Sequence, residues 1–438
     1  MSHLLVALVK ARASMPGVLL QALLACAIVL RHRFEPRLTA PVRRALDALT
    51  VLALLAWAGL AAADAWSNVR YPRPWDFPSF YAVADAAAHG RNFYDPGVLT
   101  SVQSALGRTQ GVPGQWLSEV GYWYLPPSVF VILPLGFFGF RAALVLHYLV
   151  QGLLLVGCAA LMRRQFAAGP GWLGFASSLL LLLIFPPAQS TIYFAQIVFG
   201  CLFFLLLAER LLERSPVAAG AALAAGFFFK HLLLIPALVL LVGRDRRGRV
   251  AGLSAVGGIV LALLASMVVF GRGILVAWSA NGPGARSEQL AIDPVVQSLL
   301  ALIYRGLHAT PHGSLAHIIL YPPFLVAAGA LGLVTLALLW RAPARTDAGR
   351  FWLVAALAIL AYPNTLISTL ALAAPVALFA ASRALRAGWP ALAALAVVAV
   401  AWALPGLAPV HAGWIAVMAW AVLAVLAATS PAEPATAK

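Results

Sequence analysis

The chain has 438 residues, of which 63% are hydrophobic and 10% charged, well below the roughly 25% charged residues of a soluble domain. Apolar runs of about 17–25 residues recur along its length without strict alternation, which excludes a soluble globular protein and an outer-membrane barrel and predicts an all-α polytopic membrane protein. The formal charge of +16 falls mainly in alternate loops, as expected of residues that orient spans, and no basic run interleaved with aromatics points to nucleic acid.

Residues 1–43 are basic around a short apolar run, Pro16–Leu30, which reads as an interfacial helix or an extra span. Arg31, Arg33, Arg37, Arg43 and Arg44 follow it with no clear cleavage site, against a signal peptide. Residues 44–383 read as a bundle core, 384–428 as a C-terminal hairpin of spans and 429–438 as a disordered tail. About ten to twelve spans are expected in all.

The first clear span is Ala45–Ala63, and its basic leader places residues 64–127 on the outer side. That outer stretch opens with Trp75-Asp76-Phe77-Pro78-Ser79-Phe80-Tyr81, passes through the helix-forming Ala82–His89 to Tyr94-Asp95, and ends at Tyr124-Leu125-Pro126-Pro127. Ser128–Phe140 is apolar but interrupted by Pro134, Gly136 and Gly139, and reads as a re-entrant or interfacial helix. Val217–Val242 carries basic residues beyond both ends and is too short for two spans. It reads as two half-helices meeting near Lys230, with Pro236 easing the break, a geometry tolerated only against protein or a cavity. A second outer segment, about 271–313, contains Gln297-Ser298 and an amphipathic stretch, Val295–Leu307. Cys26, Cys158 and Cys201 lie in apolar segments without metal or disulfide spacing, and read as small buried hydrophobes.

Taken in order, these motifs resemble one family, the polyprenyl-phosphate-mannose-dependent α-1,2-mannosyltransferase-like enzymes of glycosyltransferase family 87, with a GT-C fold. Asp76-Phe77 through Tyr94-Asp95 is similar to the family's first outer loop. Tyr124-Leu125-Pro126-Pro127 with Leu133-Pro134-Leu135 resembles its Tyr-Pro-Pro and Pro-Leu elements. Gln196 stands where a Gly-Gln opens a helix, Gly220–Lys230 is similar to a small-residue helix ending in Lys, and Gln297-Ser298-Leu299 stands where the family has Asn-Gln-Ser-Leu. The departures are Ala195 for the usual Gly, His231 for the Pro after Lys230, Val296 for the Asn before Gln297, and Tyr362-Pro363-Asn364-Thr365 for a segment with Ser-Pro, an aromatic and His residues.

The resemblance implies a multi-pass enzyme of a bacterial-type inner membrane. It would move a hexose, mannose first, from a polyprenyl phosphate to a lipid or glycan hydroxyl on the outer face. The acceptor must lose a proton as it attacks, and Asp76 is the candidate general base. The plainer reading of Asp76 is the N-cap of a helix over Pro78–Ala88, and the two roles are compatible. Phe77 and Tyr81 are candidates for the substrate wall and Asp85 for the same groove; Asp95, before Pro96, reads as a turn residue. Arg73, Arg91, Arg286 and Arg305 are candidates for the donor phosphate, the plainer reading being interfacial anchors. Lys230 is an ionisable residue deep in an apolar run, either functional or bonded to a broken-helix carbonyl. Tyr124, Gln196 and Gln297 are candidates for sugar hydroxyls or helix ends. No metal and no cofactor are expected, since the acids are few and no phosphate-cradling loop is present. The competing readings are a transporter or lipid flippase, which the break at Lys230 favours, and an inactive scaffold derived from the enzyme fold.

Overall fold

A computed structural model describes residues 14–34, 37–73, 76–110, 122, 124–163, 171–281, 293, 296–309, 318–341 and 348–429. Among them the chain is helical throughout, and its only strand-like feature is a single bridge between Val296 and Leu366. Among the described residues seven helices are long and apolar enough to cross a membrane, and there is an eighth span if the bent pair Gly171–Leu183 and Pro186–Tyr193 is counted as one. Among the described residues there are also five shorter apolar helices of 10–17 residues, among them Pro126–Phe137 and His231–Val242.

Helix α1 (Met15–Phe34) packs on the C-terminal α17 (Ala391–Leu407), so the ambiguous N-terminal run is an integral part of the bundle. Helix α2 (Ala40–Arg70) follows, with a largely exposed apolar surface whose buried residues are the polar Thr50, Asp64 and Asn68. Helices α3 (Asp76–Ala88) and α4 (Pro96–Gln110) lie between α2 and a broken helical segment, Pro126–Phe137. Asp95 caps α4 by accepting from the Gly97 N–H at 2.8 Å, as the Tyr-Asp-Pro turn predicts.

Helices α5 (Phe140–Met162), α6 (Gly171–Leu183), α7 (Pro186–Tyr193) and α8 (Val198–Leu212) continue the bundle; α6 and α7 meet at 70°. The segment after α8 is broken as the sequence predicts, into α9 (Pro216–Phe227) and α10 (Leu234–Val242), joined through Lys230 and a 3₁₀ turn at His231–Leu233. Both halves lean on α11 (Arg246–Phe270). A Cβ at Gly220 would overlap the Ala251 carbonyl, and one at Gly252 the backbone of Ala237 and Leu241. These two glycines let α9 and α10 approach one strut closely enough to fix the break in place.

The remainder comprises α12 (Ile274–Asn281), α13 (Leu299–Gly306), α14 (Pro322–Arg341), α15 (Ala348–Ala361), α16 (Ala373–Arg386), α17 and α18 (Trp414–Thr429). Ser298 caps α13, accepting from the Ala301 N–H at 3.2 Å, which accounts for the Ser of the Gln-Ser-Leu motif. Phe351–Leu360 of α15 and nearly all of α16 are buried on every side, and these two helices form the centre of the bundle.

Candidate active site

Helix α3 starts at Asp76, two residues earlier than the sequence predicts, so Asp76 belongs to the first turn of the helix and its partial positive field. The next residues anchor that turn. Phe77 is 1% exposed, meets Phe140 edge-on at 5.4 Å, and lies 5.1 Å from the His147 ring. The Tyr81 hydroxyl donates to the Phe138 carbonyl at 3.0 Å. Phe77 and Tyr81, expected on the substrate wall, pack against α5 and the end of the 126–137 segment. A Cβ at Gly136 would overlap the Ala84 backbone, so the absence of a side chain there lets the 126–137 segment sit against α3.

Gln196, Tyr124 and Lys230 meet at this turn from three other parts of the chain. The Gln196 amide and the Lys230 charge both act on the Asp76 carboxyl. Burial pushes the Asp76 pKa above its ordinary value of 3.8, while the Gln196 hydrogen bond, the Lys230 charge and the residue's own N–H pull it partly back. Lys230 is 1% exposed, its ammonium lies 5.0 Å from the centre of the Tyr124 ring, and Nζ has no hydrogen-bond partner among the described residues. The fully extended Lys230 backbone (φ −153°, ψ 125°) ends the α9 half of the break. Its position follows from Gly200, where a Cβ would overlap the neighbouring Phe229 ring. Gln196 follows Ala195, whose φ of 51° is left-handed; this is the position where the family usually carries Gly, the residue that adopts this conformation without strain.

Four further residues lie here: His231 and Tyr362, which the sequence marked only as departures from the family pattern, Cys201, read as a small buried hydrophobe, and His147, which sequence reasoning passed over. His231 Nε2 accepts the Leu125 N–H at 2.9 Å, and its ring lies 5.7 Å from Tyr124. His147 faces the carbonyls of Ala195 and Gln196 and, with Gln196, Ala61 and Phe199, lines a cavity of about 150 Å³. Tyr362 and Cys201 lie close enough to Tyr124 to act on its hydroxyl, and Cys201 likewise on Lys230. A His within an apolar span was the signal that could have found His147, and the replacement of Pro by His was the one for His231.

The other candidates lie elsewhere. The Arg73 guanidinium pairs with Asp64 at 2.6 Å, donates to the Tyr193 carbonyl at 3.1 Å and stacks 4.0 Å over the Tyr193 ring. It ties the approach to α3 onto α2 and α7. Asp85 is paired with Arg91 and His89 at the far end of α3. Arg305 donates to the carbonyls of Asp293, Val296 and Val410, and Gln297 Oε1 accepts the Gly413 N–H at 2.9 Å. Both hold the loop before α13 to the C-terminal hairpin. Trp75 and Arg286 lie outside the described residues.

The arrangement sets a carboxyl of raised proton affinity in the field of a buried ammonium with unused donors, groups able to take a proton and to meet an anion. No curated protein and no solved structure matches the chain. The sequence model of glycosyltransferase family 87 matches residues 122–363, more than half the chain, and this region contains Tyr124, Gln196, Lys230 and Tyr362. The all-helical bundle is consistent with the GT-C fold of membrane glycosyltransferases. The chain belongs to glycosyltransferase family 87.

Proposed function

We propose that the protein transfers a hexose, mannose by the family resemblance, from a polyprenyl phosphate to a hydroxyl of a lipid or glycan acceptor. The reaction would take place at the outer face of a bacterial-type inner membrane. The observation that carries this reading is the meeting of Asp76 and Lys230, far apart in sequence, at one turn beside Gln196 and Tyr124.

In the proposed reaction the acceptor oxygen attacks the anomeric carbon from the face opposite the phosphate. The new C–O bond forms as the bond to the phosphate oxygen breaks, and the configuration inverts. The acceptor proton passes to Asp76, and the polyprenyl phosphate leaves with one more negative charge. Lys230 compensates that charge. A cation fixed in a low-dielectric site stabilises developing negative charge more than one in water, because no solvent need reorganise. Gln196 orients the carboxylate, and Tyr124 and Tyr362 offer aromatic faces to a sugar ring.

The test is transfer of radiolabelled sugar from polyprenyl-phosphate-mannose to a host lipid extract, by purified wild type beside Asp76→Asn. Transfer by the wild type alone is expected; undiminished transfer by Asp76→Asn removes Asp76 as base. The broken segment at Lys230 also favours a second reading, a lipid or solute transporter with its site at the break. Movement of a lipid or solute in proteoliposomes without sugar transfer would replace the first reading with that one.

A further inference from the structure

Helix α3 is 13 residues long, about 20 Å by the helical rise, and its far end forms a second site. Its last turn closes with the Gly90 N–H bonded to the Ala87 carbonyl at 3.1 Å and the Arg91 N–H to the Ala86 carbonyl at 2.8 Å, with Gly90 at φ 66°. This left-handed cap fixes the direction in which the chain leaves the helix. It delivers Arg91 to the rim of a cavity of about 480 Å³ between the end of α3, the 126–137 segment, the end of α11 and the start of α12. The lining is divided: Arg91 and Asn92 are polar, whereas Leu133, Phe137, Phe270 and Ile274 are apolar.

We propose that this cavity binds a lipid carrying an anionic phosphate, independently of whether the Asp76 site transfers sugar. Three features support that class of ligand. The Asp85 carboxylate pairs with one Nη of Arg91 and so holds the guanidinium in place; a guanidinium has five N–H donors, which leaves others for a phosphate. The Asn92 side-chain oxygen is taken by the Tyr94 N–H at 3.0 Å, so its amide nitrogen is the group left to donate. The apolar half of the lining continues onto surface fit for acyl or prenyl chains: Val268 is 85% exposed, Val269 59% and Phe137 70%. A span end with such apolar exposure beside Trp278 of α12 has the character of a membrane–water boundary, where phosphates lie above chains. The exposed Arg272, next to the cavity-lining Gly273, adds positive charge at the same mouth.

A bilayer phospholipid and the prenyl carrier share this chemistry, and the experiment separates them. Purified protein in detergent is titrated with dioleoyl phosphatidylglycerol in one arm and farnesyl phosphate in the other, and bound lipid is counted by native mass spectrometry. Arg91→Gln removes the charge, and Ala277→Trp fills the cavity while leaving the Arg91–Asp85 pair in place. Each variant is expected to weaken one bound lipid at least tenfold, with Arg91→Lys retaining more of it than Arg91→Gln. Loss confined to phosphatidylglycerol identifies a bilayer lipid, and loss confined to farnesyl phosphate identifies the carrier. Wild-type binding of both probes by both variants overturns the proposal. Loss in Arg91→Gln but not in Ala277→Trp also overturns it, because the lipid would then lie outside the cavity.

Discussion

The Lys230 ammonium lies 5.0 Å from the centre of the Tyr124 ring, and the same two residues act on the Asp76 carboxyl or are acted on by it. An aromatic face can hold a desolvated cation for about 2 kcal/mol without occupying its hydrogen-bond donors. Tyr124 thus keeps Lys230 in the site while leaving its three N–H groups for an anion. On the proposed mechanism, Lys230→Met nearly keeps the length of the side chain and removes the charge with its N–H donors. Turnover is expected to fall about a hundredfold or more, as when a fixed oxyanion donor is removed. The shift in thermal unfolding should be small, since the lost cation–π contact is offset by a lost desolvation penalty. A variant as active as wild type would assign Lys230 to the fold alone.

The Asp76 carboxyl, raised by burial above 3.8, determines two pH effects. As a base it acts only when ionised, so kcat/KM is expected to fall as pH drops through a value above that of an ordinary carboxylate. Lys230 favours the ionised form, and Lys230→Met should move this acid limb higher still. For stability the sign is the reverse of the usual carboxylate case. The folded state binds this proton more tightly than the unfolded chain, so stability falls as pH rises from the unfolded to the folded pKa. Asp76→Asn is accordingly expected to raise the melting temperature near neutral pH while abolishing transfer. An acid limb at or below 3.8 in the wild type would contradict both expectations.

His231 replaces a Pro usual in the family, and it does what Pro cannot: its Nε2 accepts the Leu125 N–H at 2.9 Å. That bond ties the Tyr124 segment to the turn carrying Lys230. His231→Leu leaves a part-buried N–H unpaired, a loss of about 1 kcal/mol, and releases Tyr124 from the cation. Lower stability and lower turnover are expected together, with His231→Gln restoring part of both through its side-chain oxygen. Equal stability of the Leu and Gln variants, measured by thermal unfolding, would show that the bond contributes nothing.

The parts of the candidate site legible in the sequence were those that break the rules of a membrane span. Lys230 stood out as a charge in an apolar run, Asp76 as an acid just beyond one, and Gln196 as an amide at a helix start. The break at Lys230 was legible for the same reason, because the charged flanks of Val217–Val242 left too few residues for two crossings. Arg73 was not. Nothing near it in sequence announces that Asp64, nine residues earlier, and Tyr193, in a helix formed much later, will occupy its guanidinium. The partners of Arg305 and Gln297 were not legible for a related reason: Arg305 donates to the Val410 carbonyl and Gln297 takes the helix-end role, accepting the Gly413 N–H just before α18, and the docking of that C-terminal hairpin is set by packing. Phe77 and Tyr81 share a helix with Asp76, but helical periodicity alone does not tell which face meets α5.

The same packing makes two glycines respond in opposite ways to one substitution. At Gly136 an added methyl would overlap the Ala84 carbonyl and the Asp85 nitrogen, backbone atoms that no side-chain rotation can move aside. At Gly152, inside α5, it would meet nothing within 4 Å. Gly136→Ala must push the 126–137 segment off α3, with a cost of about 1–3 kcal/mol. It also loosens the packing that fixes the Asp76 turn, so turnover should fall with stability. Gly152→Ala relieves the entropy cost of a glycine in a helix and is expected to stabilise by about 0.5–1 kcal/mol. Thermal unfolding and sugar transfer, measured on both variants, check the pair. If Gly136→Ala behaved like Gly152→Ala, the close approach of the 126–137 segment to α3 would not be what holds Asp76 in position.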